Sequence, residues 1–187
     1  MITHVYGMVN RSLEELITTR HGAACWERVL ARSGVEVDIF VSNEPYDDDI
    51  THRLVEATSA ELELSPQEVL GLFGEHWVNV TAAQTYGPLF RAGGQDLGEF
   101  LQNLPNFHTR VQLLYPNLRP PEFHVRDARP GHVTLEYHST REGLLPFVIG
   151  LVRGLGRHFG TPTTITVGPG RADGLEHDEL AVDWTPS

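Results

Sequence analysis

Cys25 is the only cysteine in a chain of 187 residues. That excludes an intrachain disulfide, a Cys-x-x-Cys redox pair and a cysteine-rich zinc site. Long apolar runs are missing too, and no basic N-terminal stretch precedes one, so neither a transmembrane helix nor a signal peptide is expected. Basic residues are scarce: 14 Lys and Arg stand against 25 Asp and Glu, a net charge of −11. Such a surface repels phosphate backbones and argues against nucleic acid and anionic membranes as partners. There is no internal repeat and no low-complexity tract. The length suits one domain whose core can enclose a ligand, in a reducing, cytoplasmic location.

What is present begins with helical periodicity over the first hundred residues. Val5, Val9, Leu13, Leu16 and Ile17 make one stripe, and Trp26, Val29 and Leu30 begin the next. Asn43-Glu44-Pro45-Tyr46 reads as a loop. Ser65-Pro66-Gln67-Glu68 combines an N-cap, a proline at the first helical position and the glutamate of a capping box. A helix start is therefore predicted there, leading into apolar Val69, Leu70, Leu72, Phe73, Trp77 and Val80. Pro105 lies inside a later helical pattern and must kink or restart it. After Pro121 the pattern alternates: Phe123-His124-Val125 and His132 to Tyr137 read as two strands joined at Arg129-Pro130-Gly131. A helix over Gly143 to Phe159 follows, then strands at Thr163 to Val167 and Leu180 to Trp184. The order predicts an α+β fold, a helical half followed by a half with a four-stranded antiparallel sheet and helices.

His108 sits among Phe100, Leu101, Leu104, Phe107, Val111 and Leu114 at helical spacing, which turns an imidazole toward a buried face. A lone imidazole in such a place is more often a hydrogen-bonded core residue than a ligand. His76 and His138 take that bland reading as well. No HxxxH, HExxH or carboxylate triad accompanies His108, so a site with several protein ligands is poorly supported. A haem needs only one axial imidazole. Tyr137, Ser139 and Arg141 alternate along the end of the second strand and would share one face. Two hydroxyls and a guanidinium fork suit a carboxylate, although the same row also occurs on solvated sheet faces. Asp47-Asp48-Asp49 lacks the ligand spacing of a calcium loop and reads as a solvated helix N-terminus. Cys25, beside Trp26 on an apolar face, is expected to be buried and inert.

Val5 to Asn10, Leu72 to Val78, Phe100 through His108, Pro121-Glu122-Phe123 and Tyr137 through Gly150 together resemble the haem nitric oxide/oxygen-binding (H-NOX) family, whose domain also serves as the sensor of soluble guanylate cyclase. The resemblance covers nearly the whole chain. It implies a single H-NOX domain over 1–187, with a distal helical subdomain at 1–65, a proximal subdomain at 66–187, and haem b (iron protoporphyrin IX) buried between them. By position, His108 is implied to be the iron ligand and Pro121 the residue that presses on the porphyrin. Tyr137, Ser139 and Arg141 would hold the propionates. Trp77, Val5, Phe147 and Leu151 would line the distal side, with Leu104 also against the cofactor.

Oxygen-binding members of that family place a tyrosine at the position aligned with Phe147, which has no hydroxyl to donate. The expectation is a sensor that binds nitric oxide, and carbon monoxide, while excluding dioxygen. Nitric oxide would weaken the bond from iron to His108 and so free the His108 helix. The chain ends soon after Trp184, so a separate partner is expected, a histidine kinase or a cyclic-di-GMP enzyme. Two rivals remain at this point: a haem-free module binding an apolar carboxylate, and a peroxidase-like enzyme, which would need a distal acid/base and charge pair that the apolar candidates do not provide.

Overall fold

A computed structural model of the chain describes residues 4–114 and 120–186. Leu114, predicted to continue the His108 stripe, has its side chain outside the described set. The first helices are α1 (Gly7–His21), α2 (Ala23–Ser33), α3 (Asp48–Leu62) and α4 (Pro66–His76). Their apolar stripes meet in one cluster, with Leu13 and Ile17 of α1 against Val29 of α2, Leu54 of α3 and Phe73 of α4. Cys25 is buried within it. The α4 start is the predicted capping box: the Glu68 N–H donates to Ser65 Oγ (3.2 Å) and the Ser65 N–H donates to Glu68 Oε2 (2.8 Å).

Two short strands depart from the sequence-based expectation. β1 (His4–Tyr6) pairs antiparallel with β2 (Pro45–Asp47), Val5 lying opposite Tyr46. Val5 is therefore extended rather than part of the first helical stripe, and Pro45-Tyr46 is strand rather than loop. Three residues are too few to display alternation, so pairing across 41 positions leaves no local pattern.

Beyond α4 the helix widens into a π-helical segment, Trp77–Ala82, followed by α5 (Ala83–Thr85), α6 (Gly87–Gly93), α7 (Leu97–Gln102) and α8 (Leu104–Leu114). Pro105 restarts the helix instead of kinking it. α7 ends at Gln102, and the proline occupies the first turn of α8, where no backbone donor is required. The sheet comprises β3 (Glu122–Arg129), β4 (His132–His138), β5 (Thr163–Val167) and β6 (Asp178–Trp184), antiparallel in the order β3-β4-β6-β5. α9 (Leu145–His158) connects the β3-β4 hairpin to β5. The inner sheet face, including Phe123, Leu135, Tyr137 and Leu180, joins Phe100, Phe107 and Val152 in a second cluster, and Trp77 packs against both clusters. The architecture is α+β with a four-stranded antiparallel sheet, as expected. Among the described residues no helix is long and apolar enough to cross a membrane.

α4 and α9 cross with backbones in contact because glycines face one another. A Cβ on Gly150 would sit on the Gly71 carbonyl, within 2.9 Å of its carbon, and one on Gly74 would meet the Phe147 carbonyl and the Leu151 nitrogen, the latter at 2.7 Å. Backbone cannot rotate aside as a side chain can, so Gly150→Ala should force the two helices apart. The expected loss is about 1–3 kcal/mol, despite alanine's better helix propensity, and chemical denaturation at neutral pH measures it. Wild-type stability in that variant would show that the crossing tolerates separation.

Candidate functional site

His108 owes its position to α8. Leu104, four residues earlier, and Val111, three later, lie on the same helix face and are buried. The imidazole lies 6.0 Å from the Phe107 ring and 5.5 Å from the Phe123 ring of β3, centroid to centroid. Nδ1 is buried and has no hydrogen-bond partner, unlike the satisfied histidine of an ordinary core. Burial pushes the ring's pKa down to about 4; the nearby Pro121 carbonyl opposes this but completes no hydrogen bond to Nδ1. At neutral pH the ring is uncharged and keeps a nitrogen lone pair for a Lewis acid.

The imidazole borders a cavity of about 220 Å³ and an adjoining one of about 140 Å³, with Trp77, His108, Pro120 and Leu151 as common walls. Val5, Pro121, Tyr137, Ser139, Arg141, Phe147 and Leu151 line the larger space together with Trp77 and His108, and Leu104 lines the smaller one. The structure thus brings around these two cavities the ten residues that the resemblance implies for the cofactor. The glycine crossing of α4 and α9 is what brings Phe147 next to Phe73 (ring centroids 5.0 Å apart). The π-helical segment begins at Trp77, where the two cavities meet. Such segments are frequent at functional sites, and periodicity alone had not revealed this one.

The lining divides by chemistry. Val5, Val9, Leu70, Phe73, Phe147 and Leu151 line it with apolar surface, and Tyr137, Ser139, Arg141, Asp48, Thr51 and His52 line it with polar groups. One expectation is corrected here. β4 ends at His138, so Ser139 and Arg141 are in the following turn rather than on the strand. A turn-internal bond from the Arg141 N–H to Ser139 Oγ (3.0 Å) holds them near Tyr137, in place of the pleat.

Asp48 was missed. Asp47 caps α3 by accepting from the Asp49 N–H (3.0 Å), and both flanking aspartates are exposed, as a solvated helix start requires. Asp48 instead turns inward. Its Oδ2 accepts from Arg141 Nε at 2.8 Å, while Arg141 Nη2 donates to the His4 carbonyl at 3.0 Å. Asp48 Oδ1 is buried without a hydrogen-bond partner. The guanidinium therefore ties the turn after β4 to β1 and α3, and a ligand carboxylate would share it with Asp48. Arg171, outside the cavity lining, pairs with Asp178 (Nε to Oδ2, 3.1 Å) with its guanidinium 5.5 Å from the centroid of the Tyr137 ring. Nothing in one sequence ties Asp48 to this cavity, because its partner Arg141 lies 93 positions away.

Two of the lining hydroxyls are directed to protein partners. Tyr86 lines the smaller cavity and donates to Met8 Sδ (3.3 Å), and Thr51 Oγ1 donates to Asn10 Oδ1 (2.7 Å).

Comparison with known proteins bears on family and fold. The family model for haem-NO-binding (HNOB) proteins matches residues 6–167. Soluble guanylate cyclase gcy-35 of Caenorhabditis elegans is 30% identical over 161 residues, covering 83% of this chain and 23% of that protein. Soluble guanylate cyclase gcy-31 of the same organism is 25% identical over 155 residues, covering 83% and 22%. The chain spans less than a quarter of the length of these relatives. Among solved structures, a mutant H-NOX protein from S. oneidensis in the Fe(II) state superposes with a TM-score of 0.87 at 20% identity, covering 98% of this chain and 97% of the other. The Fe(II) unliganded H-NOX protein from K. algicida gives 0.82 at 21% identity, covering 98% of each. At these identities the structural likeness is one of fold, and the family match adds descent: the chain belongs to the haem-NO-binding family and has the H-NOX fold.

Proposed function

We propose that this chain is a haem-based sensor of nitric oxide that excludes dioxygen and signals to a separate protein. The observation that carries the reading is the buried, uncharged imidazole of His108, whose Nδ1 has no hydrogen-bond partner, bordering a largely apolar cavity that Tyr137, Ser139 and Arg141 also line. These residues fit an iron porphyrin. His108 would supply one nitrogen for the iron, Phe73 and Leu151 would supply apolar contact, and the Tyr137 and Ser139 hydroxyls with the Arg141 guanidinium would donate to propionates. When bound, haem b would supply the ferrous iron that takes up nitric oxide or carbon monoxide.

The rest of the reading concerns the chain's own groups. Pro121, adjoining the cavity beside His108, would press on the cofactor, and Val5, Trp77, Phe147, Leu151 and Leu104 would enclose it. Phe147 presents no donor, and the Tyr86 and Thr51 hydroxyls bond to protein atoms, which supports exclusion of dioxygen. His108 carries the signal through what it holds. If His108 held the iron it would keep α8 docked, and without that hold α8 and the residue before it would stay linked to α6 through Arg110 Nη1 donating to the Ala92 carbonyl (3.2 Å) and Asn103 Nδ2 donating to the Gly93 carbonyl (2.9 Å). Motion between segments 1–65 and 66–187 would follow, with Arg141 as the clasp between them. The recipient is a histidine kinase or a cyclic-di-GMP enzyme in trans, in the cytoplasm, and the chain itself catalyses nothing.

Absorption spectra of the ferrous protein under argon, in air and with nitric oxide test this. The expected set is a five-coordinate ferrous haem, no change in air, and a five-coordinate nitrosyl. A stable dioxygen complex would transfer the deciding role from Phe147 to another lining donor such as Trp77. Failure to take up haem on reconstitution would overturn the reading in favour of a carboxylate-binding module.

A further inference from the structure

On the outward face of the sheet lies a second group of metal-ligating side chains. Strand alternation sends Phe123, Tyr137 and Leu180 into the core, and therefore His124, Glu136, His138 and Glu179 outward. Register aligns them: His124 is opposite Glu136 across β3 and β4, and Glu136 is opposite Glu179 across β4 and β6. His177 is two residues before Glu179.

A carboxylate on the outer face of a sheet is ordinarily solvated, yet the Glu136 side chain is only 7% exposed. Three imidazoles and a guanidinium wrap it. His124, His138 and His177 form a row with ring centroids 4.6 and 4.9 Å apart. Glu136 Oε1 accepts from Arg126 Nε at 2.6 Å and lies 3.5 Å from His177 Nε2, itself buried with no hydrogen-bond partner. Oε2 faces His138 Nε2 at 3.3 Å and His124 Nδ1 at 3.6 Å.

We infer that His124 Nδ1, His138 Nε2 and Glu136 Oε2 form a site for a divalent transition-metal ion of the zinc type. Bonds of about 2.0–2.1 Å in a tetrahedral arrangement separate ligand atoms by about 3.4 Å, and the separations of 3.3 and 3.6 Å fall on either side of that value. The three ligand atoms lie within 4.8 Å of one another, so small side-chain rotations close the set. Two imidazoles and one carboxylate suit zinc, copper or nickel and are too nitrogen-rich for calcium or magnesium. Arg126 occupies Oε1, which fixes the carboxylate and leaves Oε2 as a single ligand atom, the outer-shell support typical of such sites. His124 is half-exposed, so the fourth position is open to water. The ion would cross-link β3 and β4 behind Phe123 and Tyr137, and it is independent of the iron ligand His108.

Calorimetric titration of the untagged protein with zinc chloride, alongside His124→Ala, His138→Ala and His177→Ala, tests the assignment. One zinc per chain is expected, with affinity lowered at least about tenfold in the first two variants and less in the third, and no saturable heat with calcium. Because His124 is half-exposed, its removal should leave the circular dichroism spectrum unchanged, so lost binding in that variant cannot be ascribed to unfolding. Zinc absorption-edge spectroscopy should give a nitrogen and oxygen shell near 2.0–2.1 Å with two imidazoles. No saturable uptake, or undiminished affinity in His124→Ala, overturns the site. Loss in His177→Ala alone would overturn this ligand set in favour of Glu136 Oε1 with Glu179.

Discussion

His108→Gly is expected to retain haem at least about a hundredfold less well than the wild type, because losing even an outer-shell partner of a metal ligand costs 10–100-fold and here the ligand itself disappears. The imidazole stands between Phe107 and Phe123 in an otherwise apolar surround. His52, the other histidine that lines the cavity among the described residues, is exposed. Imidazole added to the medium should occupy the vacated volume and restore the ferrous absorption spectrum. It should not restore signalling, since free imidazole has no covalent link to α8. Absorption spectroscopy reads the first effect, and nitric oxide-dependent activity of the partner protein reads the second. A rescued variant that transmitted the nitric oxide response at full amplitude would remove the basis for helix release.

Phe147→Tyr should raise dioxygen affinity by about one to two decades. A buried hydrogen bond to a partly charged acceptor contributes about 1.5–3 kcal/mol, and each 1.4 kcal/mol is tenfold. The site is suited to this effect because Phe147 lines the cavity among Phe73, Trp77 and Leu151, where water cannot compete freely for the new donor. Nitric oxide affinity should change by less than tenfold, since its bond to ferrous iron needs no donor. Oxygen titration and flash photolysis would measure the pair of affinities. An unchanged oxygen affinity would mean that the hydroxyl at 147 does not reach the ligand, and the deciding position would have to be sought elsewhere on the wall.

Much of this site was legible from spacing. The apolar residues around His108 recur with the period of a helix, and the structure places Leu104, Phe107 and Val111 in the core beside it. The Ser65 capping box and the turn at Pro130-Gly131 follow from local chemistry and appear where expected. The inward turn of Asp48 was hidden by its neighbours: a run of three aspartates at a helix start looks solvated, and for Asp47 and Asp49 it is. Gly71, Gly74 and Gly150 gave no sign in sequence that they formed a single helix crossing. The outward histidines had even less chance of being noticed, because His124 and Glu136 are twelve residues apart and adopt their relation only through hairpin register.

The sequence by itself determined the main helices and the four strands of the larger sheet, which faces are apolar, and which chemical groups were available: one imidazole in an apolar stripe, a Tyr-x-Ser-x-Arg donor set, and phenylalanine rather than tyrosine at 147. These properties are encoded over a few residues, because backbone periodicity and capping act at that range. Tertiary structure alone decided that Arg141 would clasp Asp48 across 93 positions, that β1 and β2 would pair, and that Glu136 would be enclosed by histidines from β3, β4 and the approach to β6. Burial and ion pairing depend on which surfaces come to face one another, a relation set by the packing of whole elements and recorded in no short stretch of the chain.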